Sequence, residues 1–354
     1  MVLKEKCYLP SEEERKWVKR KIEEVKEKVS SALNECGLDY KEIVPGGSTA
    51  RDTFLPGDSD FDIFVLTEDP ESCLKCASEK IRNGNIKPGH LKIWNFKTDD
   101  GATVDLVFVH PKEREKWFTL EHTKIYSSFS EKEKEMVRKL KALMKEECAY
   151  GAENGGITGV AIEEGVRSFG ENICENLRED LWLQDPTANR PRNLLASVSK
   201  EKWELVKEAC SLEREPNCDY CNSDKFLKKM ENKGYRVVVL QNKYPTKDKN
   251  YQKAKSICYK SCRKIGDLEE CICDAYSDRE KTVVAFKVKP EELPPTKMRC
   301  VSADAPEIAI EKFKEKHPDW FYDEQGRVCV EVKRDVTDVV SEMINNIESE
   351  WVSS

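Results

Sequence analysis

The sequence predicts an α+β protein of two or three domains, and three observations carry that expectation. The chain has 354 residues, and domains average ~100–200 residues. Hydrophobic residues make up 38% and charged residues 36%, with mean hydropathy −0.69, which describes a charge-rich chain that still carries the aromatic and β-branched residues a core needs. Short apolar runs dominate up to residue 109, helical periodicity dominates from 116, and the two alternate again after 224. No apolar stretch approaches the ~20 residues that cross a bilayer. The N-terminus, MVLKEKCYLPSEEER, has no apolar signal region. A cytoplasmic protein without a membrane partner is therefore expected. No fixed-period repeat is present, which sets aside solenoid, collagen and coiled-coil classes.

Each element follows from local pattern. Ser11 and Glu14 form a capping box, and Trp17, Val18, Ile22, Val25, Val29 and Leu33 recur at helical spacing, so 12–35 is expected to be an amphipathic helix. Tyr40–Val44 reads as a strand broken by Gly46-Gly47, and Ser48–Thr53 as a short helix. Pro56-Gly57-Asp58 is a turn. Phe61–Leu66, His90–Phe96 and Thr103–Val109 read as strands, with two short helical pieces in 70–83. Ser130 and Glu133 form a second capping box ahead of a helix marked by Met136, Val137, Leu140, Leu143 and Met144. Further helices are expected at 160–178 and 199–211, and 212–224 is a polar linker. Then come Tyr235–Gln241 (strand), 247–265 (helix), Cys271–Tyr276 and Thr282–Val288 (a hairpin), 304–316 (helix), Arg327–Val332 (strand) and 335–350 (helix). That βαββαβα order is the kind called ferredoxin-like. The resulting domains are 1–115, 116–222 and 223–354.

Fifteen cysteines in a long chain without a signal peptide are expected to be reduced thiols, small buried ones plus a few at the surface. Cys73/Cys76, Cys218/Cys221, Cys258/Cys262 and Cys271/Cys273 have metal-like spacings, and the 218–273 group supplies candidate ligands for a structural Zn2+. The net charge of −7 conceals an asymmetry. Residues 225–264 hold thirteen Lys/Arg against Glu231 and Asp248, a surplus of +11, so the remainder sums to −18. Tyr235, Tyr244, Tyr251 and Tyr259 interleave with those lysines. A concentrated positive field rewards a phosphate backbone through counterion release, while a lysine run can also be a plain solvated surface.

The chemistry concentrates in Gly46-Gly47-Ser48-Thr49-Ala50-Arg51-Asp52-Thr53, followed by Asp58-Ser59-Asp60-Phe61-Asp62. Asp60 and Asp62 share a strand face, because side chains alternate with a period of two; the strength of the apolar run predicts that this face belongs to the core. Adjacent carboxylates repel and are tolerated where divalent cations neutralise them. A third acid, Asp105, sits in the apolar run Val104–Val109. The Gly-Gly bend clears side chains so that backbone N–H groups and the Ser48 hydroxyl can meet a phosphate. Three strand carboxylates beside such a bend describe a two-metal site for nucleotidyl transfer with two Mg2+ ions.

These residues resemble the polymerase-β-like nucleotidyltransferase superfamily, and more closely the archaeal-type (class I) CCA-adding tRNA nucleotidyltransferases. The resemblance runs through Gly47-Ser48-Thr49-Ala50-Arg51-Asp52-Thr53, His122-Thr123, Val137-Arg138-Lys139-Leu140-Lys141, Tyr150-Gly151-Ala152-Glu153, Thr158-Gly159 with Glu163, Asp185-Pro186 with Arg192-Asn193, Ala196 and Ser197, and Leu293-Pro294-Pro295. It implies a polymerase-β-like catalytic head, a helical nucleotide- and RNA-binding neck and central domain, and a C-terminal ferredoxin-like (RRM-like) body with a shortened tail. It implies that Asp60, Asp62 and Asp105 are catalytic metal ligands and that Gly47, Ser48, Arg51, His122, Lys141, Tyr150 and Arg192 bind the nucleotide. Arg192 would read the base, although a longer interval after Asp185-Pro186 leaves Arg190 as an alternative. The substrates implied are CTP, ATP and the tRNA acceptor end. Whether C, A or all of CCA is added stays open, as does the oligomeric state, a homodimer included. The alternatives are a transferase of the same fold with another acceptor and a catalytically silent RNA-binding protein.

Overall fold

The computed structural model describes residues 6–58, 60–87, 92–116, 118–265, 271–287, 296–302, 305–333 and 336–353. Ser59, Leu293-Pro294-Pro295, and the outer residues His90, Val288, Asp304 and Asp335 of four expected elements lie outside them. Two compact units divide at Cys221/Asn222. Among the described residues no helix is long and apolar enough to cross a membrane.

The first unit opens with α1 (Glu12–Glu35), whose Ser11–Glu14 capping box forms in both directions. There follow β1 (Glu42–Gly46), α2 (Gly47–Arg51), β2 (Asp60–Leu66), α3 (Pro70–Lys80), β3 (Gly84–Ile86), β4 (Lys92–Lys97) and β5 (Thr103–Val109). A single α3 replaces the two short pieces expected in 70–83: Pro70 stands in its first turn and the Asp69 side chain caps it. The strands form one mixed sheet in the order β1-β2-β5-β4-β3. β2 and β5 pair in parallel, and both flanking pairs are antiparallel. One sheet face carries the main core. Val18, Val25, Val29 and Leu33 of α1 and Leu74 and Ala77 of α3 pack there with Phe61, Ile63 and Val65 of β2 and Val104, Leu106 and Phe108 of β5. The opposite face buries only its far half, where Phe64, Leu66, Val107 and Val109 meet Leu120. The acid-bearing half of that face is open: Asp60 is exposed and Asp62 only half-buried. The expectation that this face is core is corrected accordingly. The strand run reads as continuously apolar because its far half is covered on both sides.

The remaining α-helices of the first unit are α4 (Phe118–Tyr126), α5 (Glu131–Glu146), α6 (Gly159–Phe169), α7 (Ile173–Asn176) and α8 (Lys202–Ala209). The second capping box, Ser130 with Glu133, starts α5. Thr158 caps α6, and Gly170 ends it short of the expected 178.

The second unit comprises α9 (Ser223–Asn232), β6 (Arg236–Gln241), α10 (Lys247–Ile265), β7 (Ile272–Ser277), β8 (Lys281–Lys287), β9 (Thr296–Val301), α11 (Glu307–Lys316), β10 (Phe321–Tyr322), β11 (Val328–Lys333) and α12 (Val336–Ser353). The sheet β6-β8-β7 has the central strand order of a ferredoxin-like layer, with α10 and α12 contributing to its core. The expected fourth strand differs: β11 pairs with β9 and β10 in a second sheet. Tyr251 is buried in the α10 core and Tyr259 packs against it, because with Ala254, Cys258 and Cys262 they follow the apolar helical stripe; Tyr244, just ahead of the helix, packs there too. The tyrosines among the lysines are therefore packing groups.

The cysteines depart most from expectation. Fourteen are joined as Cys7–Cys218, Cys36–Cys76, Cys148–Cys221, Cys174–Cys210, Cys258–Cys273, Cys262–Cys271 and Cys300–Cys329, and Cys73 is a buried free thiol. Cys218 and Cys221 thus face Cys7 and Cys148, which disperses the zinc group read across 218–273. The Cys258, Cys262 and Cys273 sulfurs do lie within 4.8 Å of one another, but each is in a disulfide. Bonds between residues as far apart in sequence as 211 positions leave no local spacing to read. Three of them fasten the 210–221 segment to the rest of the first unit, at the turn before α1, just past the end of α5, and at α7. In denaturant without reductant, thiol titration should find one reactive thiol per chain. Full reduction should lower the melting temperature, since each long-loop disulfide contributes ~2–4 kcal/mol.

Candidate active site

Strand register assembles the acids. Asp62 of β2 pairs with Asp105 of β5, Asp60 pairs with Thr103, and Gly46 of β1 stands opposite Asp62 on its other side. Parallel neighbours in register point to the same face, so the two carboxylates are adjacent and Asp60 follows one step along. Asp60, Asp62 and Asp105 line a cavity of about 280 Å³ together with Phe61, Thr103 and Lys87. Burial, then the Asp105 charge, pushes the Asp62 carboxyl up to about 6. Asp60 is raised as well, by desolvation first and then by Asp58 and Asp105. Asp105 is held by Asn95, whose Nδ2 donates to Oδ1 at 2.7 Å, and by Lys87, whose Nζ lies 2.5 Å from Oδ2. Mutual repulsion and three carboxylates lining one cavity suit divalent cations such as Mg2+.

The glycine bend closes onto this cluster. Gly47 has φ +69°, and a Cβ there would sit 2.1 Å from Asp62 Oδ2. Only a residue without a side chain lets the α2 backbone lie against the carboxylate. Behind α2 is a buried ionic network. Arg51, 4% exposed, places Nη2 3.0 Å from Glu163 Oε2, while its Nε and Nη1 have no hydrogen-bond partner. Lys141, 2% exposed, donates to the Thr53 carbonyl (3.0 Å), Thr53 Oγ1 (3.1 Å) and Glu163 Oε1 (3.1 Å). Burial lowers the Lys141 ammonium. Burial alone would raise Glu163, but Lys141 and Arg51 overcome it and hold the carboxyl below its usual range. Asp52 ends α2 in the left-handed conformation and is gripped by Arg15 and Arg138.

His122, Asp185 and Arg192 meet as a second cluster. His122 Nε2 lies 2.8 Å from Asp185 Oδ1, and Arg192 Nη1 lies 3.2 Å from Oδ2. Arg192 stacks over Phe118 at 4.2 Å, and His122 stacks on Tyr126. Arg192, rather than Arg190, reaches this cluster. Tyr150 is next to Lys145, whose ammonium lies 5.4 Å over its ring and 2.9 Å from Asp58 Oδ1; burial first, then Asp58, raises the Tyr150 hydroxyl. The structure therefore brings Asp60, Asp62, Asp105 and Gly47 together, and keeps Lys141 behind them, held to Thr53 and Glu163. Sequence reasoning missed Lys87, Asn95, Thr53 and Lys145 as members of these clusters. Lys145 carried a signal, since it follows Lys141 by one helical turn. Lys87 and Asn95 carried none, because only sheet pairing brings them to Asp105.

Known proteins can be set beside this geometry. Residues 18–147 match the nucleotidyltransferase domain family model. The matched residues lie within the first unit. The chain is similar to the CCA-adding enzymes of Pyrobaculum islandicum (31% identical, 48% of this chain and 44% of that protein) and Pyrobaculum aerophilum (32%, 48% and 44%). A similar match is to the CCA-adding enzyme of Methanocaldococcus jannaschii (31%, 46% and 41%). The match spans less than half the length of these relatives. A solved cytoplasmic RNA terminal U-transferase is also similar, with TM-score 0.37 and 16% identity over 53% of this chain and 65% of that one; a likeness at that level carries no functional weight. The nucleotidyltransferase domain matches where the acids, the glycine bend and the start of the helical part lie.

Two outcomes follow for the nucleotidyltransferase domain. Between the ordinary carboxylate range and pH ~6, folded Asp62 keeps a proton that the unfolded chain has lost. Stability in the absence of divalent cations should then fall as pH rises through that window. Asp62→Asn should remove this slope and stabilise the cation-free protein at pH 7 by about 1–3 kcal/mol, read from denaturant titrations across pH. Gly47→Ala, strained at positive φ and in collision with Asp62, should destabilise the domain by ~1–3 kcal/mol; a wild-type melting curve would contradict the packing described.

Proposed function

We propose that the protein adds C and A nucleotides to tRNA 3′ ends from CTP and ATP, without a nucleic-acid template and with release of pyrophosphate. The observation that carries this reading is the in-register pair Asp62–Asp105, with Asp60 one step along, facing the Gly47 backbone. Asp60 and Asp62 would hold two Mg2+ ions, and Asp105 the one nearer the primer hydroxyl. Bound there, the ions would polarise the α-phosphate and lower the pKa of the attacking hydroxyl. The chain's own residues do the positioning. Gly47 lets the triphosphate approach the bend, and Ser48 donates its hydroxyl. Arg51 offers two buried N–H groups that lack a partner, and an anionic phosphate oxygen supplies one. Glu163 fixes the third guanidinium nitrogen so that the other two stay aimed.

Lys141 acts in this reading through Thr53 and Glu163, holding the end of the bend. His122 and Asp185 orient Arg192, whose planar fork is suited to reading the edge of the incoming C or A. Tyr150 shapes the pocket beside Lys145 and Asp58. In domain terms, 1–115 is proposed as the catalytic head, 116–222 as the nucleotide- and RNA-binding central part, and 223–354 as the RNA-binding body. Lysines 249, 260 and Arg263 of α10 are exposed, and with the rest of 225–264 they would grip acceptor-stem phosphates. The relatives' printed activity and the nucleotidyltransferase domain support the reading.

The test is product sequencing after incubation with CTP, ATP, Mg2+ and tRNA lacking CCA, CA or A. Addition of C then A to the matching ends is expected; labelled free oligonucleotide or protein with tRNA untouched points to a transferase of the same fold with another acceptor. Asp60→Asn should reduce incorporation by at least ~10³-fold with little change in tRNA binding, measured by filter binding. Unchanged incorporation removes the metal role. Arg192→Ala should lower discrimination among nucleotides more than it lowers the rate with any one of them.

A further inference from the structure

Lys87 is the one charged group lining the acid cavity that the proposed reaction leaves without work. Its ammonium lies 2.5 Å from Asp105 Oδ2, and its charge also bears on Asp60 and Asp62. It therefore stands in the negative field where divalent cations are expected. It differs from the other basic groups nearby. Lys141 is enclosed and makes three hydrogen bonds. Lys145 is fixed between Asp58 and the rings of Tyr150 and Tyr220. The Lys87 side chain is 43% exposed and is held at its tip by the Asp105 ion pair, while its backbone is anchored separately, by its N–H donating to the Ile93 carbonyl. Asp105 meanwhile keeps a second, neutral partner in Asn95, so departure of the lysine does not leave the carboxylate without a hydrogen bond.

On the proposed metal-dependent reading, we infer that Lys87 is a movable counter-ion: it neutralises Asp105 in the cation-free protein and transfers to a phosphodiester of the RNA primer when divalent cations fill the cluster. The physical reason is exclusion. A monovalent ammonium and divalent cations cannot share the same carboxylate oxygens without strong repulsion. Cation entry releases the lysine, whose four-carbon stem lets the charge travel while the backbone stays put. From the β3–β4 end of the sheet it reaches the rim on the Asp105 side, the side assigned to the attacking hydroxyl. An anion available there is the phosphate backbone of the strand that carries that hydroxyl. Lys87 is in these terms a positioning residue that couples cation loading to primer engagement.

The test uses the full chain and Mn2+ as probe, with free Mn2+ measured by electron paramagnetic resonance, and needs no turnover. Lys87→Met should bind Mn2+ roughly threefold to thirtyfold more tightly than wild type, while Lys87→Arg should stay near wild type. Asp62→Asn, the control, should bind more weakly. In Mg2+, Lys87→Met should bind tRNA with a salt slope smaller by about one than that of wild type. Weaker binding by Asp62→Asn with no gain in Lys87→Met overturns the counter-ion role alone. No change in Asp62→Asn overturns the metal reading beneath it. Tighter Mn2+ binding with an unchanged salt slope overturns the transfer to the primer. A circular dichroism spectrum identical to wild type establishes that the variants are folded.

Discussion

Like charges held side by side at the end of an apolar sheet are the constraint on which the rest of the first unit depends. Asp62 and Asp105 are in register across a parallel pair, whose strands are apolar and packed under helices on one face. The main core formed by α1, α3, β2 and β5 fixes that register, since a slip of one residue would turn every core side chain outward. The same register carries the carboxylates to the open half of the other face. Folding strength is thus used to hold an electrostatically unfavourable arrangement that the chain alone does not neutralise, as the upward displacement of Asp60 and Asp62 indicates.

The surroundings of the acids fall into two kinds. One kind is rigid and buried: Gly47 against Asp62, and the Arg51–Glu163–Lys141–Thr53 network behind the bend. Buried ion pairs contribute little net stability, because desolvation offsets attraction, yet they fix orientation, and Arg51 emerges with two donors unused. The other kind is open: Lys87 on the rim, and Arg192 stacked on Phe118 and tethered through Asp185 to His122. Rigid groups near the bend and adaptable groups at the edge suit the proposed reaction, in which a constant triphosphate would meet the bend and a variable base and RNA end the edge.

The disulfides have a different logic. Three of them fasten 210–221, a polar stretch that composition describes as a linker, onto the rest of the first unit, and the division between the units falls at 221/222. Cross-links of this kind act largely by narrowing the unfolded ensemble, which suits a segment with few apolar side chains of its own. Cys258, Cys262, Cys271 and Cys273 instead lie within the α10–β7 core, where an i, i+4 pair on a helix faces an i, i+2 pair on a strand.

The helices with capping boxes, the apolar strands of the sheet, the Asp60–Asp62 pair and the glycine bend were legible in the sequence, because each is set by neighbours a few residues away: hydrogen bonds at a helix start, a period of two or 3.6, the absence of a side chain. The proposal of nucleotidyl transfer rests on those local patterns and their order, and the match of residues 18–147 falls on the same stretch. The tertiary structure alone decided which strand lies beside which, and with it that Lys87 and Asn95 attend Asp105, that Lys141 turns inward to Glu163, that β11 joins β9 rather than β6, and that Cys218 meets Cys7. These are contacts between residues far apart along the chain. Their partners are selected by the packing of whole faces, and no local spacing encodes that choice.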